Sequence, residues 1–361
     1  MSIENLLSRM KYKIVKGDCF ELIKKMPDNS VDLVITSPPY SDIVNYGKSV
    51  STKKPDDYCD WILPLFKEVY RVLKPSGSFI FNINDKCEGG YRSTYIYDLI
   101  SRNNKETKLK LYDTYIWHKR NGIPNGGTKR FRNTTEFIFH FCKDAKQMKF
   151  YMDRALQEPT ESSNNKYKYD MTNQQGEVID GVRYKKVQKV RKGHMKTNEL
   201  GQQAQEFTMR NIPELVRPDN VVRFSTAGAS RDNLIKHPAP YHKELPLYYI
   251  NLLTDEGDVV LDPFSGIATT GVACKELNRN YIGFELNETY ADFSIKRLEG
   301  ILDDVYVVNQ YSLDDIFIKS YNSSSSAGKE LDLCSDDIMR CYGRNGFNTC
   351  GGFKWKLEKK N

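Results

Sequence analysis

Apolar residues along the chain fall into two regions of regular strand and helix spacing, parted by a polar middle that keeps neither period. In the first region, "YKIVKGDCFELIKKM" predicts a short strand, a turn at Gly17 and Asp18, and a helix. Val31, Leu33, Val34 and Ile35 form a run bounded by Asn29 and Ser30 before it and by Pro38 and Pro39 after it, which predicts a buried central strand over 31–36. Tyr58, Trp61, Ile62, Leu65, Phe66, Val69, Tyr70 and Leu73 recur at helical spacing. Pro64 within them predicts a kink or a late helix start. "KPSGSFIFNI" reads as a turn and another buried strand, with Gly77 just past the helix, and two more strands are expected at 112–117 and 136–142.

The rhythm resumes after the middle. A helix over 243–253 is expected to bury Leu245, Tyr248, Tyr249 and Leu252, and "DVVLD" (258–262) reads as a strand. A turn then leads into a helix from about 268, and "YIGFEL" (281–286) is a further strand. Alternating strands and helices at both ends imply an α/β protein, doubly wound on one mostly parallel sheet that the middle interrupts. The expected parts are a first half-domain over 1–142, an insert over 143–220, a second half-domain over 221–320, and a linker with tail over 321–361. "NSSSSAGKE" reads as the linker, and the tail as disordered or lightly packed.

Composition narrows the class. A hydrophobic fraction of 39% and a charged fraction of 28% over 361 residues suit a soluble protein with a substantial core. No apolar run approaches the roughly 18 residues of a membrane span, and "MSIENLLSRMKYK" lacks a secretory signal, so neither membrane nor export is expected. The eight cysteines contain no C-x-x-C pair and read as reduced thiols of a cytoplasmic protein, with no metal centre. Charge is placed unevenly: residues 119–200 hold 18 Lys and Arg against 9 Asp and Glu, an excess above the +7 of the whole chain. The densest run, "RYKKVQKVRKGHMK", makes Lys185, Lys186, Lys189, Arg191 and Lys192 candidates for contact with a polyanion. A solvated basic face is the plainer reading of the same run.

Two loops carry the chemistry. After the strand at 31–36, Pro38 and Pro39 have fixed φ and no N–H, so the turn presents Ser37 and Tyr40 in a set relation. After the strand at 258–262, Asp262, Pro263, Phe264, Ser265 and Gly266 lead into a helix near Thr269, the form of a nucleotide-binding turn. Glu285 ends the next strand, where an acid can accept both hydroxyls of a ribose.

Together, S-P-P-Y at Ser37–Tyr40 and D-P-F-x-G at Asp262–Gly266 resemble the amino-methylating DNA methyltransferases that use S-adenosylmethionine. The catalytic motif comes first, as in the permuted beta group, whose target-recognition region lies between the motifs where the basic insert stands. "GDCFELIKKMPDNSVD" and "IKHPAPYHKELP" are similar to flanking family blocks, and Ala268 departs from a common second glycine. The resemblance implies that Asp18 takes the adenine amine, that Asp262, Phe264, Gly266 and Thr269 line the rest of the cofactor with His237 nearby, and that Glu285 holds the ribose. Ser37 Oγ and the Pro38 carbonyl would accept from the target amine, while Pro39 keeps Tyr40 set to stack on a flipped base. Ser37, where adenine enzymes more often carry Asp, tilts the expectation to cytosine N4 over adenine N6. Cytosine C5 chemistry needs a thiolate, and no Pro-Cys pair is present. The implied partners are double-stranded DNA and a restriction endonuclease acting on the same site. From another class, a catalytically silent DNA-binding homologue would fit the basic insert equally well.

Overall fold

The computed structural model describes residues 11–40, 54–88, 90–120, 129, 131–157, 178–179, 182–197, 203–213, 215–224, 242–300, 306–321, 324–334, 337–338, 341 and 349–359. Its contacts divide the chain into two compact units, Tyr151–Asp219 and the remainder.

The larger unit is built on an eight-stranded sheet. Its strands are β1 (Tyr12–Lys16), β2 (Val31–Thr36), β3 (Leu73–Ile83), β6 (Lys110–Lys119), β7 (Thr135–Cys142), β11 (Val221–Phe224), β12 (Val259–Asp262) and β13 (Asn280–Glu285). Their order is β1-β13-β12-β2-β3-β7-β6-β11. All pairs are parallel except those of β7, which runs antiparallel to β3 and to β6. β6 and β7 are consecutive strands, and only a crossover connection would let such neighbours lie parallel. Every residue of β2 is buried, as a central strand covered on both faces requires. The acid within it, Asp32, is matched by Lys74 Nζ at 2.7 Å and by the Val259 N–H at 2.9 Å.

Helices α1 (Cys19–Ile23), α2 (Pro55–Val72) and α3 (Tyr95–Glu106) pack on one another in sequence, as do α4 (Glu244–Leu253), α5 (Thr269–Glu276) and α6 (Glu288–Glu299). Helix α2 begins at Pro55, before Pro64, so the expectation of a late start is corrected. Proline suits the first helical position because its missing N–H has no intrahelical partner there. The expected "KPSG" turn also differs: α2 runs straight into β3, and the register against β2 slips between Val31 and Leu33, so these residues form an irregularity inside the strand. Phe66 meets Phe79, Phe81 and Phe141 edge-on at 5.1–5.4 Å and anchors the core beneath β2 and β3. Beyond β3, a two-stranded ribbon joins β4 (Cys87–Glu88) to β5 (Tyr91–Arg92).

The smaller unit contains β8 (Val178–Ile179), β9 (Val182–Thr197) and β10 (Gln203–Pro213), an antiparallel sheet in the order β10-β9-β8. An isolated bridge joins Gln157 to Val216. Residues 143–150, placed in the insert by sequence, belong to the larger unit.

The linker and tail are corrected outright. Strands β14 (Tyr306–Tyr311), β15 (Phe317–Tyr321), β16 (Thr349–Cys350) and β17 (Phe353–Lys359) form a sheet in the order β15-β14-β17-β16, and Ser324–Leu331 is helix α7. Val308, Tyr321, Ala327, Ile338, Cys341 and Trp355 give this part its own core.

Candidate active site

The two sequence motifs are over two hundred residues apart, but β2 and β12 are neighbours in the sheet. Both loops therefore leave its carboxyl end side by side. At the end of β2, Thr36 Oγ1 donates to Asp262 Oδ1 at 2.6 Å. The same Oδ1 accepts the Phe264 N–H at 3.1 Å, and Oδ2 accepts Thr270 Oγ1 at 2.6 Å. Asp262 is fully buried, so these hydrogen bonds hold the turn and tie it to the end of β2.

Gly266 stands at φ +54°, and its N–H donates to Glu285 Oε2 at 2.8 Å. Asn287 N–H donates to Oε1 at 2.7 Å. Burial pushes the Glu285 carboxyl up to about 7, against the pull of those N–H groups. Ala268 adopts φ +57° at the start of α5, a backbone that the expected glycine would take without strain. Thr269 opens α5 and is buried. The end of β1 reaches the same place, where Gly17 N–H donates to the Glu285 carbonyl at 2.9 Å. Asp18 is exposed and caps α1, its Oδ1 accepting the Phe20 N–H at 2.9 Å.

Aromatic rings line the approach from the helices. Trp61 of α2 lies 5.6 Å from Phe20 and 5.9 Å from Phe264, ring centre to ring centre, and all three are half-buried. Tyr58 donates to the Pro39 carbonyl at 3.2 Å, fixing the proline turn from the helix side. Ser37 Oγ and Tyr40 Oη are 3.0 Å apart. Tyr40 in turn reaches Glu136 Oε2 at 2.7 Å and Asn82 Oδ1 at 3.1 Å.

The structure thus gathers Ser37, Pro38, Pro39, Tyr40, Asp262, Phe264, Gly266, Thr269 and Glu285 at the carboxyl ends of β2, β12 and β13, where open α/β sheets bind ligands. His237 lies outside the described residues. Lys185, Lys186, Lys189, Arg191 and Lys192 belong to β9 of the smaller unit. Trp61, Asn82 and Glu136 join this place with no motif to mark them: Trp61 is one member of a helical stripe, Asn82 sits in an apolar strand, and the signal for Glu136 is that it is the lone acid of "TEFIFHFC".

The arrangement fits a nucleoside. A buried carboxylate beside backbone N–H groups suits a ribose, and the rings of Phe20, Trp61 and Phe264 suit a flat base. Among solved structures, the PvuII DNA methyltransferase (cytosine-N4-specific) matches with a TM-score of 0.56 at 22% identity, covering 80% of this chain and 86% of that one. The chain therefore shares the fold of that methyltransferase. The DNA methylase family (N6_N4_Mtase) matches residues 31–296, and the chain belongs to it. It is similar to Type II methyltransferase M.BglII of Bacillus subtilis, 28% identical over 81% of this chain and 70% of that one. It is also similar to DNA adenine methyltransferase YhdJ of Escherichia coli, 27% identical over 84% of this chain and 85% of that one. The chain is a DNA methyltransferase, and S-adenosylmethionine is its methyl donor.

Proposed function

We propose that the protein methylates the exocyclic N4 amine of a cytosine flipped out of double-stranded DNA. The observation that carries this reading is Ser37 at the mouth of the proline turn, its hydroxyl held by Tyr40. The lone pair of a cytosine amine is delocalised into the ring, so the amine attacks only when its N–H bonds are drawn into a pyramidal geometry. Ser37 Oγ and the Pro38 carbonyl supply acceptors for those bonds, and such preorganised dipoles contribute on the order of 3 kcal/mol each. The bound cofactor supplies an electrophilic methyl group on a sulfonium. The chain's part is positioning, and the attack needs no covalent intermediate. Tyr40 offers the stacking face for the flipped base. Asp18 and Thr269 complete the cofactor site, with His237 from the adjoining block.

The basic strand β9 is the proposed contact with DNA phosphates. Likeness to Type II methyltransferases supports a role as the modification half of a restriction-modification pair, with an endonuclease reading the same site and both proteins working where cellular DNA is held. Adenine N6 is the second reading, favoured by the likeness to an adenine methyltransferase. Mapping modified bases in DNA from a host expressing the protein tests the proposal. Methylated cytosine amines within one short sequence are expected, and unmodified DNA or methyl groups on adenine would reject it.

A further inference from the structure

Glu136 has no role in the account above, yet it is buried beneath the proline turn with only 7% of its surface exposed. It stands at the start of antiparallel β7, and its two oxygens face different partners. Oε1 is ion-paired with Lys119 Nζ from the end of β6. Oε2 accepts from Tyr40 at 2.7 Å and from Asn82 Nδ2 at 3.1 Å. Tyr40 has a single hydroxyl proton, and three of its oxygen neighbours lie among the described residues. That proton belongs on the bond to Glu136, the shortest of the three and the one to a charged acceptor. Ser37 then donates its own proton to Tyr40 Oη across 3.0 Å, which leaves the lone pairs of Ser37 Oγ turned to the target amine.

We infer that Glu136 is the terminal proton acceptor of the methyl transfer, reached from the amine through Ser37 and Tyr40. This rests on the amino-methylation proposed above and holds for either base. As the bond from nitrogen to methyl forms and the bond from sulfur to methyl breaks, the amine gives one proton to Ser37 Oγ. Ser37 passes its proton to Tyr40 Oη, and Tyr40 passes its own to Glu136 Oε2. A positive sulfonium and a negative carboxylate become a neutral thioether and a neutral carboxyl, so charge balances. Glu136 returns its proton to solvent between turnovers.

The test uses the full chain with S-adenosylmethionine and duplex DNA from a host that lacks the protein, under single-turnover conditions. Glu136→Gln keeps the size and an acceptor but cannot hold the proton as a carboxyl. A rate loss of about a hundredfold is expected, the scale of a lost general base, with cofactor and DNA dissociation constants within twofold of wild type. Tyr40→Phe breaks the relay at its middle and keeps the ring, so it should lose rate similarly. Rapid-mix infrared difference spectra supply the direct readout: a protonated carboxyl band should rise with product in the wild type and be missing in Glu136→Gln. A wild type that methylates DNA while either variant matches its rate, or while no carboxyl band rises, overturns the relay and leaves the proposed function standing. A wild type that methylates no DNA overturns both.

Discussion

Replacing Ser37 by alanine removes one acceptor and leaves the proline turn and the rings in place. Turnover should fall by about a hundredfold, while cofactor and DNA affinities measured by titration stay near wild type. Glu285 is expected to behave differently, because the proposed ribose contact uses the ionised carboxylate and burial pushes that carboxyl up to about 7. Proton and cofactor compete for it, so affinity should weaken as pH falls below 7, approaching tenfold per unit. Calorimetry from pH 5.5 to 8.5 checks this, and Glu285→Gln should bind weakly and without that slope. At this scale the sequence could be read only where a residue type and a strand end coincided. Ser37 and Glu285 met that condition. Asp262 and Asp18 are acids whose partners are backbone and hydroxyl groups nearby, and spacing alone does not separate that use from ligand contact. Glu136 is ninety-six residues from Tyr40, and only the pairing of β7 with β3 brings them together.

Among the elements, β12, the turn after it and the start of α5 were legible because an apolar run ends in an acid and is followed by Pro263 and Gly266. The turn depends on β13 beside it. A Cβ on Gly283 would stand 2.5 Å from the Tyr281 hydroxyl and 2.6 Å from Ser265 Oγ. Ser265 N–H is bonded to the Phe284 carbonyl at 2.9 Å, so displacing Ser265 disturbs the proposed cofactor turn itself. Gly283→Ala should cost about 1–3 kcal/mol through overpacking. Thermal unfolding would show it as a lower Tm, with a smaller upward shift when cofactor is added. An unchanged Tm and a full ligand shift would mean that the turn tolerates the methyl group. The antiparallel course of β7 was not legible, because an apolar strand reads alike in either direction.

For the molecule as a whole, the tail shows how composition misleads. Four serines in "NSSSSAGKE" suggest a linker, but Phe353 and Trp355 alternate with Lys354 and Lys356 in the last strand, and the pattern of two builds a sheet. The basic strand β9 carries its own prediction. Neutralising Lys185, Lys186, Lys189, Arg191 and Lys192 together should flatten the fall of DNA affinity with salt and weaken all sequences alike, since released counterions set that slope. Cofactor affinity should stay unchanged, and an unaltered slope would make the run a solvated face. The central claim is the identity of the methylated base. Purified protein, duplex DNA and S-adenosylmethionine with a labelled methyl group, followed by digestion to nucleosides and mass spectrometry, decide it. The account expects the label in N4-methyldeoxycytidine, with none in Ser37→Ala beyond a trace. Label in N6-methyldeoxyadenosine or 5-methyldeoxycytidine, or none in DNA at all, would contradict it.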